Sequence, residues 1–154
     1  MQLGLWILAA LLIIAFAVLK PILTGKDSYS GTTLKPGVST LADVEATMGK
    51  PAETWQNERG QVNQLSYPRG PAGYVSFMVH MSPDGTVRDV DQVLDEAHFD
   101  QVRPGMSQSD VLRILGPARS TNVFASKNRL YWNYGYCSEF GRRMEYAVEF
   151  DNTT

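Results

Sequence analysis

The spacing of apolar and polar positions divides this chain into segments of different character. Residues 3–19, LGLWILAALLIIAFAVL, carry no charge; Lys20 and Pro21 break the run, and Ile22 and Leu23 extend it a little. About twenty apolar residues span a bilayer core, so the run stands between a short anchor helix and the apolar centre of a signal peptide. No polar stripe marks a second face, which argues against an amphipathic helix packed on a soluble core. Residues 1–25 are therefore read as a signal sequence or membrane anchor helix, and 26–33, rich in Ser, Thr and Gly, as a linker.

Beyond the linker the period becomes helical, and it does so twice. Leu41, Val44 and Met48 recur at helix spacing within Thr40–Gly49, and Val111, Ile114 and Leu115 within Ser107–Gly116, 67 residues further on. Thr40 and Ser107 supply N-cap hydroxyls, with Asp43 and Asp110 three residues later, where a carboxylate reaches back to the cap N–H. Gly49 and Gly116 are stop residues, and Pro51 and Pro117 forbid continuation. An apolar residue, a basic residue, Pro and Gly precede both copies, as Leu34–Gly37 and Val102–Gly105. A match over this many positions predicts two tandem modules, 34–94 and 95–154. A short extra helix is expected at 95–102.

After each helix the alternation becomes two-fold. Val75, Phe77, Val79 and Met81 alternate with Ser76, Met78 and His80, and Ser82-Pro83-Asp84-Gly85 predicts a hairpin into Val87–Leu94. An earlier strand is expected over Gln61–Tyr67. In the second module Leu130, Trp132, Tyr134 and Tyr136 form one face, and Met144, Tyr146, Val148 and Phe150 the face of the next strand. The second sheet is expected to be one strand short, with an edge in need of cover. The fold class is α+β: an N-terminal apolar helix, then two tandem modules, each a helix or helix pair with an antiparallel sheet. A module of about 60 residues is marginal alone, so the two are expected to pack together or share a sheet, helices on one face and the other free.

Composition narrows the function. With 14 Lys and Arg against 16 Asp and Glu, and no basic run, the chain lacks the face that nucleic acid needs. The single cysteine, Cys137, permits no internal disulfide and is read as a small, partly buried strand residue. His80 is expected to face solvent and His98 to lie in the short helix; no spacing joins them to a metal-binding carboxylate pair. Asp89/Asp91 and Asp95/Glu96 are read as solvated surface charge. No nucleophile elbow, phosphate loop or dinucleotide fingerprint occurs. The chain is read as a non-enzyme with no metal and no cofactor. What stands out is the aromatic content of the second module beside two arginines. Tyr131, Tyr134, Tyr136, Phe140, Arg142 and Arg143 are the candidate partner-binding surface.

The motif Pro104-Gly-Met-Ser-x-x-Asp-Val-Leu-x-x-Leu-Gly-Pro117, followed by aromatic strands ending at Val148-x-Phe-Asp151, resembles the SmpA/OmlA (BamE-like) domain family. Residues 35–51 carry a looser copy. Tandem copies of a similar unit occur in the β-lactamase inhibitor protein. The resemblance implies a helix-pair-plus-sheet fold and a non-enzymatic role as a membrane-attached periplasmic adaptor in outer-membrane and envelope assembly. Its partners would be envelope proteins, with membrane lipid engaged through the N-terminal segment. The alternative is an inhibitor or sequestering module for a periplasmic enzyme. Members of the family carry a lipidated cysteine, whereas Leu23-Thr24-Gly25-Lys26 has lysine at the nearest such position. The resemblance therefore implies an outer-membrane location, while an inner-membrane anchor stays open. Lys20 and Lys26 vote instead for a cytoplasmic body.

Overall fold

The chain is described by a computed structural model over residues 33–69 and 73–151. The apolar segment expected at 1–25, and the linker up to residue 32, lie outside the described residues. Among those described, no helix is long and apolar enough to cross a membrane.

Helix α1, Leu41–Met48, starts where the sequence places its cap. Thr40 Oγ1 accepts from the Asp43 N–H, and the Asp43 carboxylate accepts from the Thr40 N–H at 2.8 Å. Strands β1 (Glu53–Gln56), β2 (Val62–Pro68), β3 (Ser76–Met81) and β4 (Val87–Gln92) follow as one antiparallel sheet in chain order. Val44 and Met48 bury against Leu65, Tyr67, Val79, Met81 and Val87 to form the first core. The expected hairpin closes at Ser82–Gly85, where the Thr86 hydroxyl donates to Asp84 at 2.7 Å.

The second module repeats this plan. Asp95 caps α2 (Glu96–Phe99), shorter than the expected 95–102, its end carried on by turn bonds from Gln101 and Val102. Helix α3, Gln108–Leu115, carries the same reciprocal cap between Ser107 and Asp110. A second antiparallel sheet follows, in the order β5 (Ser120–Phe124), β6 (Arg129–Cys137), β7 (Arg143–Asp151). Trp132, Tyr134, Val148 and Phe150 pack against Val111, Leu115, Leu94 and Phe99 as a separate core. The correspondence extends to single bonds. The Tyr67 hydroxyl donates to the Gly49 carbonyl at 3.2 Å, and the Tyr134 hydroxyl, 67 positions on, donates to the Gly116 carbonyl at 3.1 Å. β1 and β5, which the alternation does not announce, sit at the same offset.

The modules do not share a sheet, and the first sheet's second face is not free. The end of α3 sits on it. The Gln64 side chain donates to the Arg113 carbonyl at 2.6 Å, and a Cβ on Gly116 would lie 2.6 Å from Ser66 Oγ and 3.2 Å from Ser76 Oγ. Ser66, Ser76 and Met78 are consequently buried.

Two outcomes follow from this geometry. Gly49 (φ 82°) and Gly116 (φ 74°) both occupy a conformation that costs a non-glycine residue about 1 kcal/mol or more, but only Gly116 has atoms where a side chain would go. In denaturant titrations Gly116→Ala is expected to lose clearly more stability than Gly49→Ala; equal losses would show that the modules do not seat on this residue. Hydrogen bonds from the caps hold Asp43 and Asp110 below the usual carboxylate value of 3.8. A depressed folded value stabilises above that pH and is lost as pH falls through it. Acid unfolding monitored by circular dichroism should therefore be less steep in Asp110→Asn than in the parent.

Candidate partner-binding surface

Strand alternation decides which aromatic residues of the second sheet reach its open face and which fill the core. On β6, Trp132 and Tyr134 point toward α2 and α3, and Leu130 and Tyr136 pack at the margin of that core. Tyr134, expected on the binding surface, is only 1% exposed, and burial raises its hydroxyl pKa. It is a core residue because the parity that points Trp132 inward also points Tyr134 inward. Tyr136 is half-buried, edge-on to Phe99 at 4.8 Å between centroids. Phe99 also stacks on Tyr146 of β7 at 4.2 Å, and the Tyr146 hydroxyl donates to the Phe99 carbonyl. The opposite parity reaches the open face. Tyr131 meets Phe124 of β5 edge to face at 5.3 Å, and its hydrogen bond with Glu149 raises its pKa. Phe140, at the tip of the β6–β7 hairpin, is 87% exposed, beside Arg142, whose N–H donates to Ser138 Oγ. Cys137, expected to be partly buried, ends β6 exposed because its parity points it away from the helices.

Arg143 joins a cluster that sequence reading does not find. Tyr74, from the loop between β2 and β3, lies on the open face of the second sheet between two guanidinium groups. The Arg119 and Arg143 groups are 5.6 and 5.3 Å from the ring centroid. Gly135 makes room, since a Cβ there would come within 2.9 Å of Arg119 and 3.1 Å of Tyr74. Arg119 also pairs with Glu145 at 3.3 Å. Where the modules meet, a cleft of about 290 Å³ is lined by Pro68, Val75, Ser76, Leu94, Pro117 and Tyr134 among others. Among the described residues no hydrogen-bond partner reaches the buried Ser76 hydroxyl.

The acidic residues read as solvated are partly engaged. Register opposes His80 to Asp89 and Met78 to Asp91, which brings His80, Asp89 and Asp91 within 4.8 Å of one another. His80 is three-quarters covered instead of facing solvent, and its Nδ1 meets one Asp89 oxygen while Arg88 Nε takes the other at 2.6 Å. Partial burial pushes the Asp89 pKa up, but the hydrogen bonds from Arg88 and His80 outweigh it and hold the carboxyl below its usual value. Both Asp89 oxygens are thereby engaged, one by the imidazole and one by a guanidinium. His98 is likewise held, by the capping carboxylate of Asp95 at 2.7 Å.

The sheet with the open aromatic face also lies within the stretch that a protein-family model matches. Residues 91–154 match the family model of the outer membrane protein assembly factor BamE domain. The matched stretch begins at the end of β4 and takes in α2, α3 and the whole second sheet. No curated protein and no solved structure matches the chain.

The division between core and surface is measurable. Tyr134→Phe removes the donor to a buried carbonyl and is expected to cost about 1–2 kcal/mol. Phe140→Ala should stay within about 0.5 kcal/mol of the parent. Thermal unfolding of the two variants side by side tests the assignment, and a neutral Tyr134→Phe would contradict it.

Proposed function

We propose that this chain is a non-enzymatic, membrane-attached periplasmic adaptor in outer-membrane and envelope assembly. The observation that carries the reading is the match of residues 91–154 to the BamE assembly-factor domain. The apolar run at residues 3–19 supports membrane attachment, and the body then lies in the cell envelope. In this reading residues 34–94 are a divergent copy of the same domain. The shared offset of caps, stop glycines and the two tyrosine–carbonyl bonds supports that relation.

Partner proteins of the envelope would meet the second module, at the outer parity of β6 and at the hairpin tip. Tyr131, Phe140, Arg142 and Arg143 offer aromatic and guanidinium groups there, with the exposed edge of Tyr136 beside them. Such residues dominate binding energy at protein interfaces. Tyr134 holds this surface from beneath.

A strain lacking the chain is expected to show lowered outer-membrane protein levels and sensitivity to detergent. Complementation with Phe140→Ala/Arg142→Ala should restore protein abundance but not detergent resistance. Normal outer-membrane protein levels and resistance in the deletion strain would refute the assembly role.

A further inference from the structure

The four sheet edges are protected very unequally. β1 is short, with a register shift between Trp55 and Gln56. The outer edge of β4 is closed by the loop before α1: the Gly37 N–H donates to the Val87 carbonyl at 2.8 Å, and the Val87 N–H to the Ser39 carbonyl at 2.7 Å. β5 is short as well. β7 spans Arg143–Asp151 and pairs with β6 in unbroken register along its length. Among the described residues no backbone hydrogen bond reaches its outer edge. Its counterpart in the first module, β3, has β4 at that position. A long, regular, unbulged edge is a template for another strand, and proteins that avoid pairing shorten, bulge or cover it.

The side chains of β7 specify what fits. Tyr146 and Val148 pack into the core beneath the helices and Met144, of the same parity, is exposed beyond it, while Arg143, Glu145, Ala147 and Glu149 have the opposite parity. We propose that the outer edge of β7 receives β7 of a second copy of this chain, antiparallel about a two-fold axis at Tyr146. In that register Arg143 of each copy stands opposite Glu149 of the other, Met144 opposite Val148, and Glu145 opposite Ala147. Opposite charges directly across an antiparallel pair stabilise it and like charges weaken it. Moving the axis to Ala147 would set Glu145 against Glu149, and moving it to Glu145 would set that residue against itself. Both copies keep their helices on the same side of the joined sheet, because opposed residues share a face.

The test uses the full chain in density-matched detergent. Sedimentation equilibrium is expected to show a dimer for the parent. Arg143→Glu and Glu149→Arg should each weaken it about tenfold or more, and the double variant should restore it. In a Cys137→Ser background, chains carrying Arg143→Cys and chains carrying Glu149→Cys should form a disulfide when mixed and oxidised, and neither should do so alone. Circular dichroism confirms that each variant is folded. A monomeric parent overturns the proposal, as does a dimer indifferent to the charge reversals, the result expected if the N-terminal segment drives association. So does amide protection of β7 that appears only when a different protein is added to a monomeric chain.

Discussion

Gly116 stands where three requirements of this molecule meet. It ends α3 in a positive-φ conformation, its carbonyl receives the Tyr134 hydroxyl from the second sheet, and its bare Cα admits Ser66, Ser76 and Met78 of the first. Neither module is large enough to bury a generous core alone. The back of the first sheet thus gains its cover from the second module, through a contact that leaves no room for a single methyl group. Gly49 has the same backbone and receives the same tyrosine bond, yet among the described residues nothing lies where its side chain would go. One local device serves as a helix stop in the first module, and as both helix stop and joint in the second.

That difference explains what could be read from the sequence. The limits of α1 and α3 are legible because their determinants are local: a hydroxyl, a carboxylate three residues later, a glycine and a proline. The hairpin at Ser82–Gly85 and the two parities of β6 were legible on the same ground. Which parity is covered was not, since alternation separates faces without saying what lies over them. Tyr134 was thereby counted with the surface, although it stands as far from Tyr67 as Gly116 does from Gly49, a correspondence that ties it to the helix end. Ser76 and Met78 became buried only through the seating of α3, and Tyr74 came to lie between Arg119 and Arg143 through a fold joining segments far apart in the chain. Short edge strands such as β1 and β5 carry too few residues for a period to show.

The electrostatics follow the same division between local and assembled. The capping carboxylates have depressed pKa values through bonds within one helical turn, and their partners could be named from spacing alone. The Asp89 network depends on cross-strand register, in which a shift by one residue would send His80 and Asp89 to the other face. Arg88 and His80 are both directed at one carboxylate. The open face of the second sheet is arranged in the same way, Arg129 reaching Glu149 at 3.1 Å and Asp151 at 3.5 Å. Ion pairs of this exposure add little to stability, but they set the pattern of charge that a neighbouring strand would meet.

The two modules therefore share a plan and differ in what they leave uncovered. In the first, helix α1 covers one face of the sheet, the end of α3 covers part of the other, and the loop at Gly37–Ser39 closes the outer edge of β4. The second spends its helix end on that joint. It keeps an open face bearing Tyr131, Phe124 and the Tyr74 cluster, an exposed hairpin tip at Phe140, and an edge of β7 that no described residue pairs with. A face left open cannot also serve as the fold's own internal joint. In a chain of this size, the division of labour between a seated module and a presenting one follows from which sheet received the cover.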